Sequence, residues 1–119
     1  MPKEAKVFLV EDDESVRKML KVFLSREGHQ VILEAGSLEE ALEGAKKIIQ
    51  NGVNLAIVDG LLRLGADSAE DGEMVASTLR QEAPGIKIIG LSCLEVNFGD
   101  INLKKPVSFR ELAKIIKEI

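Results

Sequence analysis

Short apolar runs alternate along this chain with stretches in which apolar residues recur at three- and four-residue intervals. Val7-Phe8-Leu9-Val10 is a continuous run of strand length. Val16, Met19, Leu20, Phe23 and Leu24 then follow helical spacing, and Gly28 stops that helix. Val31-Ile32-Leu33 predicts a second, short strand. Ser37 with Glu40 three residues on is a capping-box pair that opens a helix with Leu38, Ala41, Leu42, Ala45, Ile48 and Ile49 on one face. Asn51-Gly52 ends it, and Leu55-Ala56-Ile57-Val58 is the third strand.

Residues 60–71 read as a long loop. A helix from about Gly72 to Glu82 follows, with Met74, Val75 and Leu79 inward and Pro84-Gly85 beyond its end. Ile86 to Leu91 is the fourth strand. Residues 93–100 carry too little periodicity for a helix. Ile101-Asn102-Leu103 is a weak fifth strand. Ser108 with Glu111 is another capping box, and Leu112, Ile115, Ile116 and Ile119 give the last helix its apolar face. Strands this uniformly apolar are buried on both faces, which points to a parallel sheet of the α/β class covered by helices. Right-handed crossovers place those helices on both sides.

A chain of 119 residues, 45% of them hydrophobic, makes one domain, residues 1–119, with a core of its own. The net charge of -4 disfavours direct binding of nucleic acid or an anionic membrane. One Cys excludes an internal disulfide and fits a reducing cytoplasm. No apolar run approaches the ~18 residues of a membrane span, and Met1-Pro2-Lys3-Glu4 lacks a signal-peptide pattern.

The informative polar residues fall at strand ends. Glu11 and Asp12 follow strand one, Asp59 ends strand three, Ser92 ends strand four, and Lys105 follows strand five. In a parallel sheet these ends share one edge, where open α/β folds bind ligands. Three carboxylates at ~5 Å and an effective dielectric of ~20 repel by roughly 3 kcal/mol per pair. Mg²⁺, which takes a few carboxylates plus water, offsets that, and Lys105 adds a fixed positive charge. A carboxylate can attack phosphorus and form an acyl phosphate. Asp59 stands alone on the central strand and is the natural nucleophile, while Glu11 and Asp12 form a pair suited to metal. The Ser92 hydroxyl can donate to a phosphoryl oxygen.

With these residues in place the sequence resembles the receiver domain of two-component response regulators over essentially its whole length. Val10-Glu11-Asp12-Asp13-Glu14-Ser15-Val16-Arg17 is similar to the family's first-strand acidic motif, and Arg17 sets the register that makes Glu11 and Asp12 the acid pair. Val58-Asp59 resembles the phosphoacceptor site, Asp71-Gly72 the opening of the third helix, Leu91-Ser92 the Ser/Thr switch position, and Lys105-Pro106 the Lys-Pro pair. The resemblance implies a flavodoxin-like open parallel five-stranded sheet of order 2-1-3-4-5. It implies Mg²⁺ or Mn²⁺ held by Glu11, Asp12, Asp59 and the backbone carbonyl of Leu61. It also implies phosphorylation of Asp59 by a sensor histidine kinase or phosphotransfer protein, with Ser92 and Lys105 contacting the phosphoryl group, and signalling by contact with a downstream protein.

The chain departs from that pattern in three places. The loop from Gly60 to Glu70 is longer and lacks the typical proline. Residues 93–104 are too few for the family's fourth helix, which is expected to be short or absent. The aromatic three residues before the Lys is replaced by Asn102.

Plainer roles stand beside these. Glu11 and Asp12 can cap the first helix, although Asp13, Glu14 and Ser15 are better placed. Asp59 and Ser92 can be ordinary strand-end residues, and Lys105 a solvated loop charge. His29 reads as a solvated turn residue, and Cys93 as a small apolar residue packed near the site. Leu61, Leu62 and Leu64 either tuck into the core or mark a partner surface. Three functions compete: a phosphoacceptor switch that is not itself an enzyme acting on outside substrates, a receiver-like docking module that no longer uses phosphorylation, and a Mg²⁺-dependent hydrolase working through Asp59. If the chain is complete it is a single-domain regulator; if excised, the receiver of a larger protein.

Overall fold

A computed structural model describes residues 4–60, 62 and 70–119. The element order is β1 (Lys6–Val10), α1 (Glu14–Arg26), β2 (Gln30–Ala35), α2 (Leu38–Ala45), β3 (Leu55–Asp59), α3 (Glu70–Glu82), β4 (Lys87–Ser92), β5 (Ile101–Lys104) and α4 (Phe109–Glu118). Every strand pairing is parallel, and the sheet runs β2-β1-β3-β4-β5. This is the flavodoxin-like arrangement expected from the sequence. No helix separates β4 from β5; residues 93–100 form bends and non-regular backbone.

The continuous apolar runs are explained by two cores, one on each face of the sheet. Phe8, Val10, Ala56, Val58 and Ile88 face α2 and α3, meeting Ala41, Ala45, Val75, Ala76 and Leu79. The alternate residues Val7, Leu9, Leu55, Ile57, Ile89 and Leu91 face α1 and α4, meeting Leu20, Leu24, Leu112 and Ile116. α2 lies so close to the sheet that a Cβ at Gly44 would stand 2.6 Å from the Phe8 ring.

Side-chain caps start three helices where the sequence places them. The Asp13 carboxylate accepts the Ser15 and Val16 N–H groups at 2.9 and 3.2 Å. Ser37 Oγ accepts the Glu40 N–H at 3.2 Å, and Ser108 Oγ accepts the Glu111 N–H at 3.0 Å. Because Asp13 satisfies the first turn of α1, Glu11 and Asp12 are released from capping.

Five readings from the pattern change. α3 begins at Glu70 and buries Asp71, Gly72, Val75, Ala76 and Leu79, which turns Met74 outward. α2 ends at Ala45 and the chain turns through residues 46–52, so Ile48 is buried while Ile49 is 68% exposed. Met19 lies on the outer flank of α1 and is also exposed. His29 is buried rather than solvated, its Nδ1 accepting the Ala5 N–H at 3.0 Å. Cys93 is exposed rather than packed. Of the loop leucines, Leu62 tucks into the α2–α3 core; Leu61 and Leu64 lie outside the described residues.

Candidate phosphoacceptor and metal site

The carboxyl edge of the sheet gathers the polar residues. Just past β1, the Glu11 N–H donates to Ala35 O at 3.0 Å and its carbonyl accepts from Arg17 Nη1 at 2.8 Å. Held on both sides of its backbone, Glu11 turns its side chain inward, where it is 1% exposed, and leaves Asp12 exposed beside it. Asp59, buried at the end of β3, pairs in register with Leu91, and the Gly60 N–H donates to Leu91 O at 2.8 Å. Ser92 is therefore the next residue along β4, and it is fully buried. The Lys105 N–H donates to Ser92 O at 2.8 Å, which carries the β4–β5 pairing one residue past β5 and holds Lys105 at the edge. The Lys105 ammonium then spans the pocket, 2.8 Å from Glu11 Oε1 and 3.5 Å from Asp59 Oδ2.

Glu11, Asp12 and Asp59 each present a carboxylate oxygen, all within 4.8 Å of one another. Burial pushes the Glu11 carboxyl up. Its hydrogen bonding with Asp59 and Lys105, the Lys105 charge and a hydrogen bond with Asp12 outweigh that and hold it below 4.5. Burial likewise pushes the Lys105 ammonium down, and the Glu11 hydrogen bond with the Asp59 and Glu11 charges lifts it above 10.5. Among the described residues one buried side-chain oxygen, Glu11 Oε2, has no hydrogen-bond partner. Among the described residues, one lysine beside three carboxylates leaves an acidic cluster with an oxygen that has no hydrogen-bond partner, and that donor set fits a hard divalent cation such as Mg²⁺. Glu11, Asp12 and Asp59 would hold it; Leu61, the expected carbonyl donor, is outside the described residues.

Two consequences can be measured. Neutralising Asp12 relieves repulsion in the ion-free protein and removes a cation ligand. Asp12→Asn is therefore expected to melt a few degrees higher than wild type in EDTA and to lose the stabilisation that excess Mg²⁺ gives wild type, in thermal melts followed by circular dichroism. The second concerns Arg17, which the sequence marks only as a register position. Its Nε pairs with Glu34 Oε1 at 3.1 Å while Nη1 holds the Glu11 carbonyl. A Cβ at Gly36 would stand 2.6 Å from Nη1, so glycine leaves room for the guanidinium. Arg17→Met is expected to weaken Mn²⁺ binding roughly tenfold, as loss of an outer-shell partner does. Titration of the paramagnetic ion by EPR reads this directly, and unchanged affinity would remove Arg17 from the site.

The structure thus brings Glu11, Asp12, Asp59 and Lys105 into one cluster and places Ser92 beside it by strand register. Besides Arg17, sequence reasoning missed Phe98, which is buried against the α3 side of the sheet. A lone aromatic in a segment without periodicity gives no pattern to read.

No protein-family model and no curated protein sequence matches this chain. Solved structures do. A chain of the CheX–CheY–BeF3–Mg complex from Borrelia burgdorferi superposes with a TM-score of 0.81 at 20% identity, covering 96% of this chain and 87% of that one. The receiver domain of the hybrid histidine kinase CckA gives a TM-score of 0.78 at 28% identity, covering 96% and 97%. A CheY-like response-regulator receiver domain from Methanospirillum hungatei JF-1 gives 0.78 at 28%, covering 96% and 91%. The chain has the CheY-like receiver architecture over nearly its full length. Among the described residues no helix is long and apolar enough to cross a membrane.

Proposed function

We propose that this chain is the phosphoacceptor switch of a two-component relay, phosphorylated on Asp59. The observation that carries this reading is the placement of Lys105 Nζ between Glu11 Oε1 and Asp59 Oδ2, beside Glu11 Oε2, which has no hydrogen-bond partner among the described residues. It combines a nucleophilic carboxylate, a fixed cation and an excess of negative charge suited to Mg²⁺. The bound cation would neutralise charge on the transferring group.

The chain's own residues do the rest. An Asp59 carboxylate oxygen forms a bond to phosphorus while the P–N bond of a phosphohistidine or phosphoramidate donor breaks. The electron pair leaves with nitrogen, which holds or takes a proton. Lys105 pairs with the phosphoryl oxygens as charge builds, and Ser92 donates its hydroxyl to one of them. The chain is the acceptor of this transfer rather than an enzyme for outside esters.

The donor is a sensor histidine kinase or a phosphotransfer protein. A groove of about 420 Å³ runs between α1 and α4, with Val16, Met19, Leu20, Pro106, Phe109 and also Lys105 in its walls. Because Lys105 borders both groove and site, an apolar donor surface seated there brings its phosphohistidine to Asp59. The relay operates in the cytoplasm, with no direct contact to nucleic acid or membrane, and its output is contact with a downstream protein.

The missing helix between β4 and β5 favours a second reading, a docking module without phosphorylation, because the surface there is unlike that of a helix-bearing receiver. Intact mass after incubation with phosphoramidate separates the two. The switch predicts one phosphoryl adduct that EDTA abolishes; folded protein that forms none with any donor is a docking module.

A further inference from the structure

The pairing of β1 with β2 is uneven. Val7 lies opposite Val31 and Phe8 opposite Leu33, so Ile32 is passed over. An extra residue of this kind exchanges the faces of everything after it. Val31 packs with the core under α1 and α4, and Leu33 packs with the core under α2 and α3. Strict alternation from Val31 would put Leu33 on the α1 side and turn Glu34 toward α2. The bulge reverses both. Glu34 lies opposite Leu9, on the face that α1 covers.

On that face two cations of α1 hold Glu34. Its Oε2 is 2.6 Å from Lys21 Nζ, and its Oε1 is 3.1 Å from Arg17 Nε. The Lys21 hydrogen bond, joined by the charges of Lys21 and Arg17, outweighs partial burial and holds the carboxyl below 4.5. Glu34 therefore meets Arg17 as an anion at neutral pH. Arg17 uses a different nitrogen, Nη1, for the Glu11 carbonyl at 2.8 Å. A guanidinium is a rigid plane, so fixing Nε fixes the direction of Nη1. The same end of β2 takes the Glu11 N–H, on Ala35 O at 3.0 Å. Two consecutive residues of β2 thus grip the backbone that carries the buried Glu11 carboxylate, Ala35 directly and Glu34 through Arg17. Glu34 itself is not one of the carboxylates that converge on the cation site.

Resting on the metal-holding part of the phosphoacceptor reading, we infer that Glu34 is a positioning residue for the cation site, acting through Arg17 on the backbone of Glu11, and that the bulge at Ile32 is what aims it. Glu34 sets the pose of Arg17, Arg17 sets the pose of the Glu11 carbonyl, and the Glu11 side chain follows its backbone into the pocket. Lys21 shares the carboxylate, and among the described residues its ion pair is with Glu34 alone.

Mn²⁺ titration of the full chain by EPR, across a double-mutant cycle of Glu34→Gln and Arg17→Met, tests this. Glu34→Gln keeps the side chain's size and one acceptor oxygen and removes its charge. It is expected to weaken Mn²⁺ binding roughly threefold, the scale of a partly exposed ion pair. In the Arg17→Met background the same substitution is expected to change nothing, because its route to Glu11 is gone. The bare charge of Glu34, attracting the cation from a distance, would act with or without Arg17. A weakening that persists in Arg17→Met therefore overturns the inference. Lys21→Met removes the shorter ion pair from the same carboxylate and is expected to keep wild-type affinity; an equal weakening there assigns Glu34 to the general docking of α1 on β2 and also overturns the inference. Without any metal, the Glu11 amide should exchange faster with solvent in Glu34→Gln and at the wild-type rate in Lys21→Met. Wild type that binds Mn²⁺ no better than Glu34→Gln does overturns the inference alone. Wild type that binds no Mn²⁺ overturns the metal reading with it.

Discussion

Asp59→Asn is expected to abolish the phosphoryl adduct completely while leaving the protein folded. The substitution keeps the side chain's shape and one carbonyl oxygen, so the packing at the end of β3 is undisturbed. The amide lacks the charged oxygen that attacks phosphorus. It also removes one of the three clustered carboxylates, which relieves repulsion and should raise the melting temperature in EDTA. Loss of reactivity with gain of stability separates a nucleophile from a structural residue, whose loss lowers both. Intact mass after phosphoramidate treatment reads the first effect and a thermal melt the second. An adduct that persists in Asp59→Asn assigns the chemistry to another side chain.

The second large effect is expected from Lys105→Met. The lysine is the basic partner of a Glu11 carboxylate that is almost wholly buried. Removing one member of such a pair strands the other, and the cost is about 3 kcal/mol at neutral pH, measured by urea denaturation followed by circular dichroism. The pH dependence identifies the cause. In wild type the Glu11 carboxyl is held below 4.5, so its contribution is present above 4.5 and is lost as pH falls through the lowered value. Lys105 is held above 10.5, so its contribution is present below 10.5 and is lost as pH rises through the raised value. The variant lacks the Lys105 limb, and Glu11, without the hydrogen bond and charge of Lys105, takes a proton more readily than in wild type. The stability gap between wild type and Lys105→Met should therefore narrow as the solution is acidified below 4.5. A gap constant down to the acid transition would mean that Lys105 acts by packing its alkyl stem. The variant should also accept phosphoryl groups more slowly, because no fixed cation meets the developing charge.

The fold was legible because burial on both faces of a parallel strand demands an unbroken apolar run, and β1, β3 and β4 each have one. Topology then delivered Glu11, Asp12, Asp59, Ser92 and Lys105 to one edge. What stayed hidden depends on where a particular atom finds a partner. His29 reads as a turn residue until its Nδ1 meets the Ala5 N–H just before β1. Met74 and Ile49 sit at apolar positions of plausible helices, and the true starts and ends of α3 and α2 turn them to solvent. Cys93 is exposed because the chain leaves the sheet at Ser92. Arg17 and Phe98 act through contacts with segments far away in sequence, and spacing carries no trace of those.

The Lys105–Glu11 pair joins residues 94 positions apart. Loop closure over such a span is slow and is rewarded only when the strands between have assembled. A chain emerging from synthesis has Glu11, Asp12 and Asp59 long before Lys105, and until β5 docks it lacks the Lys105 ammonium to set against them. On the phosphoacceptor reading, copies in which β5 has not docked should therefore accept a phosphoryl group more slowly than native ones, and the initial rate of adduct formation becomes a gauge of how much of a sample is fully assembled.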